Sequence, residues 1–145
     1  MDLRVDVITV AVPDLAAAHA FYVDRLGWEP AFVAPGEITF LPAGARRMLA
    51  VFGRGDLARD IGDGGNIPSF TLGQVCNTTE EVDAAVQAMA AAGATIRKPP
   101  QPAVFFPGYH AYLETPDGTV WEFVHNPGSQ LDVGPPTHRS TGRTQ

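Results

Sequence analysis

Val7-Ile8-Thr9-Val10-Ala11-Val12-Pro13-Asp14-Leu15 opens a strand that runs into a helix closing at Leu26-Gly27. The pattern returns at Ser69-Phe70-Thr71-Leu72, ahead of a second helix closing at Ala92-Gly93. The strand starts lie 62 positions apart and the closing glycines 66, which reads as a duplication with about four extra residues between strand and helix in the second copy. Each helix is followed by what reads as three more strands. Two similar halves packed together enclose a cavity, and that is where a ligand belongs.

Around these anchors, Val5 to Val12 alternates as a strand, with Ile8, Val10 and Val12 on one face and Val7, Thr9 and Ala11 on the other. Asp14 stands at an N-cap position, and Leu15, Ala18, Tyr22 and Leu26 form a buried stripe at helical spacing. Short strands follow at Pro30-Val33, Glu37-Leu41 and Met48-Phe52, with Pro35-Gly36 and Ala43-Gly44 as turns. Gly53 to Pro68, rich in Gly and Asp, reads as a linker. In the second half, Thr78 and Glu81 make a capping box, and Val82, Ala85, Val86 and Met89 form the buried face of its helix. Ala94-Arg97 reads as a strand and Pro99-Pro100-Gln101-Pro102 as a loop, because proline cannot donate to a ladder.

The last hairpin is the most legible element. Thr115-Pro116-Asp117-Gly118 is a type I turn with a glycine bulge, which sets Thr115 against Thr119, Tyr112 against Glu122 and His110 against Val124. One face then carries Ala111, Leu113, Trp121 and Phe123, a core to be covered by a helix. The other carries His110, Tyr112, Glu114 and Glu122 among valines, and such a mixed face suits a pocket lining better than a core. Beyond Asn126-Pro127 the chain turns to Gly, Pro, Ser and Thr, an irregular tail on which Leu131 and Val133 are the residues able to dock and His138 is solvated.

Of 145 residues, 45% are hydrophobic and only 18% charged, enough for one ordinary core and too apolar for a disordered chain. A formal net charge of −6 argues against nucleic acid or an anionic membrane surface and favours a neutral or cationic small ligand. Cys76 has no partner for an internal disulfide, and the first residues lack the apolar run of a signal peptide, so a cytoplasmic protein is expected.

Val12-Pro13-Asp14-Leu15, Phe21-Tyr22, Leu26-Gly27-Trp28, Glu81-Val82-Asp83, Lys98-Pro99-Pro100 and Thr115-Pro116-Asp117-Gly118-Thr119-Val120-Trp121-Glu122 together resemble the vicinal oxygen chelate superfamily of glyoxalases, bleomycin-resistance proteins and extradiol dioxygenases, over residues 5 to 127. The resemblance implies an α+β fold of two tandem βαβββ modules whose mixed sheets form a cup: one domain over 1-145, with module one at about 4–53, linker 54–67, module two at about 68–127 and tail 128–145. In the family's metalloenzymes the first and last strands of each module present the ligands. Here those positions fall on Val7, Met48, Ser69 and Glu122, and only Glu122 is a strong donor. No metal or other cofactor is therefore expected, a divalent ion being the alternative. A homodimer is a family habit, although both modules lie in this one chain.

The pocket is expected to be lined by Val7, Thr9, Met48, Ser69, Thr71, His110, Tyr112 and Glu122. Glu122 is either a pocket anchor or general base, or a relic satisfied by Tyr112 or water. His110 is either an acid or base or a hydrogen-bonded rim residue. His19 reads as structural, His125 as packed outside the cup, and Cys76 as a buried small hydrophobe rather than a nucleophile. Phe105-Phe106-Pro107-Gly108-Tyr109 is either a lid or ordinary loop packing, and Gly62-Asp63-Gly64-Gly65 lacks the lysine of a phosphate loop. Three functions compete: a metal-independent binder of an aromatic or cationic small molecule, a glyoxalase-like lyase or dioxygenase-type enzyme with unrecognised metal ligands or metal-free acid/base chemistry through Glu122 and His110, and a fold remnant serving as an interaction module.

Overall fold

The computed structural model of the chain describes residues 1–34, 36 and 38–127; Pro35, Glu37 and the tail from Gly128 onward, with Leu131, Val133 and His138, lie outside the described residues. Its elements run β1 (Val7–Val12), α1 (Leu15–His19, continued by a π-helical turn Ala20–Arg25), β2 (Phe32–Ala34), β3 (Ile38–Pro42), β4 (Met48–Gly53), α2 (Arg54–Ile61), β5 (Phe70–Val75), α3 (Thr79–Ala91), β6 (Thr95–Pro102), β7 (Tyr109–Glu114) and β8 (Val120–His125). The strands form one curled eight-stranded sheet in the order β2-β3-β4-β1-β5-β8-β7-β6. Each module pairs its first strand with its last in parallel, β1 with β4 and β5 with β8, and the modules meet along an antiparallel β1–β5 seam. The mixed α+β architecture of two like halves is thus present in one chain. Among the described residues, no helix is long and apolar enough to cross a membrane.

The two parallel pairings correct the repeat register, Met48 and Glu122 being the matching last-strand positions. Val7 pairs with Met48, and Gly73 pairs with Glu122, so Gly73 rather than Ser69 is the counterpart of Val7. The offset from Val7 to Gly73 equals that from Gly27 to Gly93, which leaves no four-residue insertion between these anchors.

The terminal hairpin folds as its turn chemistry dictates. Thr115 N–H donates to Thr119 O at 2.9 Å, and Gly118 takes the left-handed conformation (φ +90°) that a side chain would strain. Tyr112 stands opposite Glu122 and His110 opposite Val124. Behind the hairpin, α3 starts at Thr78, whose hydroxyl accepts from Glu81 N–H, while the Glu81 carboxylate reaches back to Asn77 N–H. Its Val82, Ala85, Val86 and Met89 pack on Ala111, Leu113, Trp121 and Phe123, forming the core outside the cup. Cys76 is buried in the same cluster, and His125 Nδ1 lies 3.2 Å from Cys76 O.

Three expectations need correction. Helix α1 caps on Asp14 as expected, yet its stripe is not buried; Leu26 is 60% exposed, because the helix turns into a π-helical segment that packs little on the sheet. The stretch read as linker contains α2, whose Leu57, Asp60 and Ile61 are buried at i, i+3, i+4 spacing and which ends at Gly62 with φ +81°. Pro99, Pro100 and Pro102 belong to a strand, not a loop. They lie on edge strand β6, where register shifts flank Lys98 and a missing N–H leaves no neighbour unpaired.

Candidate functional site

The curl of the sheet encloses a cavity of about 460 Å³. Val7 and Thr9 of β1, Gly73 of β5 and Val124 of β8 contribute to its wall, and Phe32, Phe40, Phe52, Phe105 and Phe106 give it five aromatic rings. The run 105–109 is therefore divided: Phe105, Phe106 and Pro107 line the cavity, whereas Tyr109 OH donates to Asp83 of α3 at 2.7 Å. At one pole the aromatic wall gives way to Tyr112, Glu122 and Asp60.

This pole is built by period-two alternation on β7 and β8, which turns His110, Tyr112 and Glu122 to one side, and by α2, which brings Asp60 in from above. His110 is wholly buried behind the wall, so it is not a rim residue. Its Nδ1 lies 2.7 Å from Glu122 Oε2 and its Nε2 2.9 Å from Lys98 Nζ, while that ammonium also donates to Asp60 O at 2.8 Å. Tyr112 OH donates to Asp60 Oδ2 at 2.5 Å, and Asp60 Oδ1 is buried with no hydrogen-bond partner among the described residues. Burial, followed by the negative charge of Glu122, raises the Asp60 pKa above the ordinary carboxylate range, against the opposing pull of His110, Tyr112 and Lys98. Burial likewise lifts the Tyr112 phenol well above its usual range, helped by the charges of Glu122 and Asp60. Tyr112 thus serves as a neutral donor.

Of the residues expected at the pocket, Val7, Thr9, Tyr112 and Glu122 line the cavity. Met48 packs against the cluster of Val7, Phe40 and Val124 beside it. Thr71 is buried opposite Thr9, and Ser69 sits just before β5, its carbonyl accepting from Ala11 N–H. His19 bonds Thr39 rather than the site. Sequence reasoning missed Asp60 and Lys98. The signal for Asp60 was present, an acid flanked by Leu57 and Ile61 on the apolar face of a helix closed by glycine.

The ligand positions implied by the resemblance do not fit a divalent ion. With Gly73 as the fourth, Val7, Met48 and Gly73 offer no hard side-chain donor beside Glu122. A different group does gather donors. Asp60, His110 and Glu122 bring one ligand atom each to within 4.8 Å of one another, and Asp60 is the third donor that the sequence did not reveal.

The fold recurs in solved structures. The NAD-dependent benzaldehyde dehydrogenase from Legionella pneumophila superposes with a TM-score of 0.68 at 18% identity, covering 83% of this chain and 97% of that one. A glyoxalase/bleomycin resistance protein/dioxygenase superfamily member from Vibrio splendidus gives 0.57 at 21%, covering 86% and 100%. The Mn(II)-bound glyoxalase from Novosphingobium aromaticivorans gives 0.55 at 21%, covering 84% of this chain and 38% of that one. At these identities the likeness concerns the fold alone. No curated protein matches the chain. The sequence profile of the Glyoxalase/Bleomycin resistance protein/Dioxygenase superfamily, however, matches residues 4–123, through both modules and to within two residues of the end of β8, and the chain belongs to that superfamily.

Proposed function

We propose that this chain binds a small aromatic molecule in its cup, preferring a cationic one, and that it does so without a metal ion. The observation that carries the reading is the cavity itself, about 460 Å³ walled by five phenylalanines, with Asp60, Tyr112 and Glu122 at one pole. Aromatic walls give area and orientation, and an acidic pole in a low-dielectric surround attracts positive charge. The bonding of His110 supports the metal-free half. With one nitrogen on Glu122 and the other on Lys98, the imidazole has no lone pair left for an ion, and Lys98 supplies a positive charge to the site. Both modules come from a single chain, so a second copy is not needed to close the cup, and a lone buried cysteine suits the reducing cytosol.

The second reading is an enzyme of the glyoxalase or dioxygenase kind, holding a divalent ion on Asp60, His110 and Glu122 or moving protons through Glu122 without one. The Mn(II)-bound glyoxalase among the structural neighbours favours it. Metal analysis of protein purified without chelator separates the two: stoichiometric Mn, Zn, Ni or Fe overturns the binder reading. A thermal-shift screen of aromatic amines tests the binder directly, since ligand at 100 times its Kd adds about 2.7 kcal/mol. Glu122→Gln keeps the shape and removes a charge, and binding unaltered by it refutes the role of the acidic pole.

A further inference from the structure

We propose that Asp60 is the carboxylate that reads the ligand, selecting an aromatic molecule whose cationic group carries at least one N–H, and that the consecutive residues Arg97 and Lys98 of β6 hold it in position. The inference rests on the reading of the cup as an aromatic-ligand site and goes beyond it to the ligand's polar group.

Two carboxylates face this pole, and they are not equivalent. Glu122 is matched: His110 sits on its Oε2, with Lys98 behind His110. Lys98 Nζ lies 2.9 Å from His110 Nε2, so the imidazole is bonded at both nitrogens. Asp60 is engaged on one oxygen alone. Its Oδ2 accepts from Tyr112 OH and lies 4.0 Å from His110 Nδ1, while Oδ1 is buried without a hydrogen-bond partner among the described residues, in a residue 4% exposed on the cavity wall. A buried acceptor without a donor is costly, and an N–H from a bound ligand would satisfy it.

Asp60 comes from α2, between the modules, so something must fix it against the sheet. Lys98 reaches inward and donates to the Asp60 carbonyl at 2.8 Å. Arg97 grips the chain just beyond, bidentate on Asp63 at 2.7 and 2.8 Å and on Asn66 O at 2.9 Å, with Glu114 of β7 at 3.3 Å. Gly65 lets the guanidinium through, since a Cβ there would lie 2.7 Å from Arg97 Nη2. Neighbouring residues of one strand therefore clamp both ends of the segment 60–66. Arg97 touches no part of the cavity and is a positioning residue.

Three probes share one ring system: 1-naphthylmethylammonium, its N,N,N-trimethyl analogue without N–H, and neutral 1-naphthylmethanol, each titrated by naphthalene fluorescence. In the unaltered protein the primary ammonium should bind about tenfold tighter than the trimethyl ion, the worth of a charge-assisted hydrogen bond. Asp60→Asn should bring that ratio close to one. Arg97→Gln should lower the ratio when Asp60 is present and change nothing further when combined with Asp60→Asn. Should Asp60→Asn fail to fold, Arg97→Gln alone reads the same ratio. Equal binding of the two cations, or a ratio that survives Asp60→Asn, overturns the assignment of Asp60. A loss from Arg97→Gln that persists in the Asp60→Asn background overturns the clamp. If naphthylmethanol binds and the ammonium has no advantage, the aromatic cup stands and the inference falls; if none of the three binds, the reading of the cup has failed and takes the inference with it.

Discussion

Replacing Lys98 by Met should be among the most damaging single changes in this chain. The side chain is 8% exposed, and its Nζ donates to Asp60 O and bridges to His110 Nε2. Methionine fills the aliphatic volume, so little of the cost is a cavity. What is lost is the Lys98 ammonium, leaving Asp60 and Glu122 together at the pole with a carbonyl and a ring nitrogen unpaired. Removing one member of such a buried set costs about 3–5 kcal/mol, a large share of an ordinary stability of about 5–15 kcal/mol. With a urea m-value of about 1–3 kcal/mol/M, the denaturation midpoint should fall by roughly 2 M. Adding Glu122→Gln removes the stranded charge, so the double variant should recover at least half of the deficit. The loss should also depend on pH. Asp60 is already raised above its unfolded pKa and Lys98 opposes that rise, so its removal raises Asp60 further. A raised acid contributes stability below its unfolded pKa and loses it as pH rises through the folded value, and the Lys98→Met deficit should therefore be smaller at pH 5 than at pH 8. A midpoint unchanged within error, or a double variant no better than the single, refutes the account of Lys98 as the internal counter-charge.

The remaining expectations concern the supports of the site. Gly108→Ala should destabilise the chain by about 1–3 kcal/mol and loosen the aromatic wall, because a Cβ there would lie 2.3 Å from the Phe106 ring and 2.6 Å from His125 O; thermal unfolding and naphthylmethanol affinity check it. The Arg97 guanidinium holds the Asp63 carboxyl at about 2, so its contribution is present above the unfolded pKa of 3.8 and lost as pH falls toward 2. Carboxyl carbon NMR should show this low midpoint and its return to the ordinary range in Arg97→Gln. Burial pushes the Cys76 thiol up to about 11, so a disulfide reagent at pH 7 should label native protein only as fast as it unfolds; prompt stoichiometric labelling would contradict the packing of Cys76 under α3.

What could be read in the sequence was what local chemistry determines. Pro116 and Gly118 force one turn, the turn forces the pairing of β7 with β8, and alternation then divides His110, Tyr112 and Glu122 from Ala111, Leu113, Trp121 and Phe123. What escaped was supplied by elements whose local signals misled. The Gly and Asp content around α2 masked a single helical turn of burial, Leu57 to Ile61, and the acid within it looked like one more solvated linker charge. The prolines after Lys98 looked like loop, whereas on an edge strand they are tolerated, and Pro99 and Pro100 fall within the register shift beyond Lys98. The same shifts frame the residue that departs from an ordinary edge: Lys98 is buried and bonds across the cup floor instead of reaching solvent. An acid on the apolar face of a helix and a lysine next to a double proline are each unremarkable alone. Set against one hairpin, they give the pole a carboxylate bonded to His110 and another with one oxygen left without a hydrogen-bond partner among the described residues, and that asymmetry is what a ligand would meet.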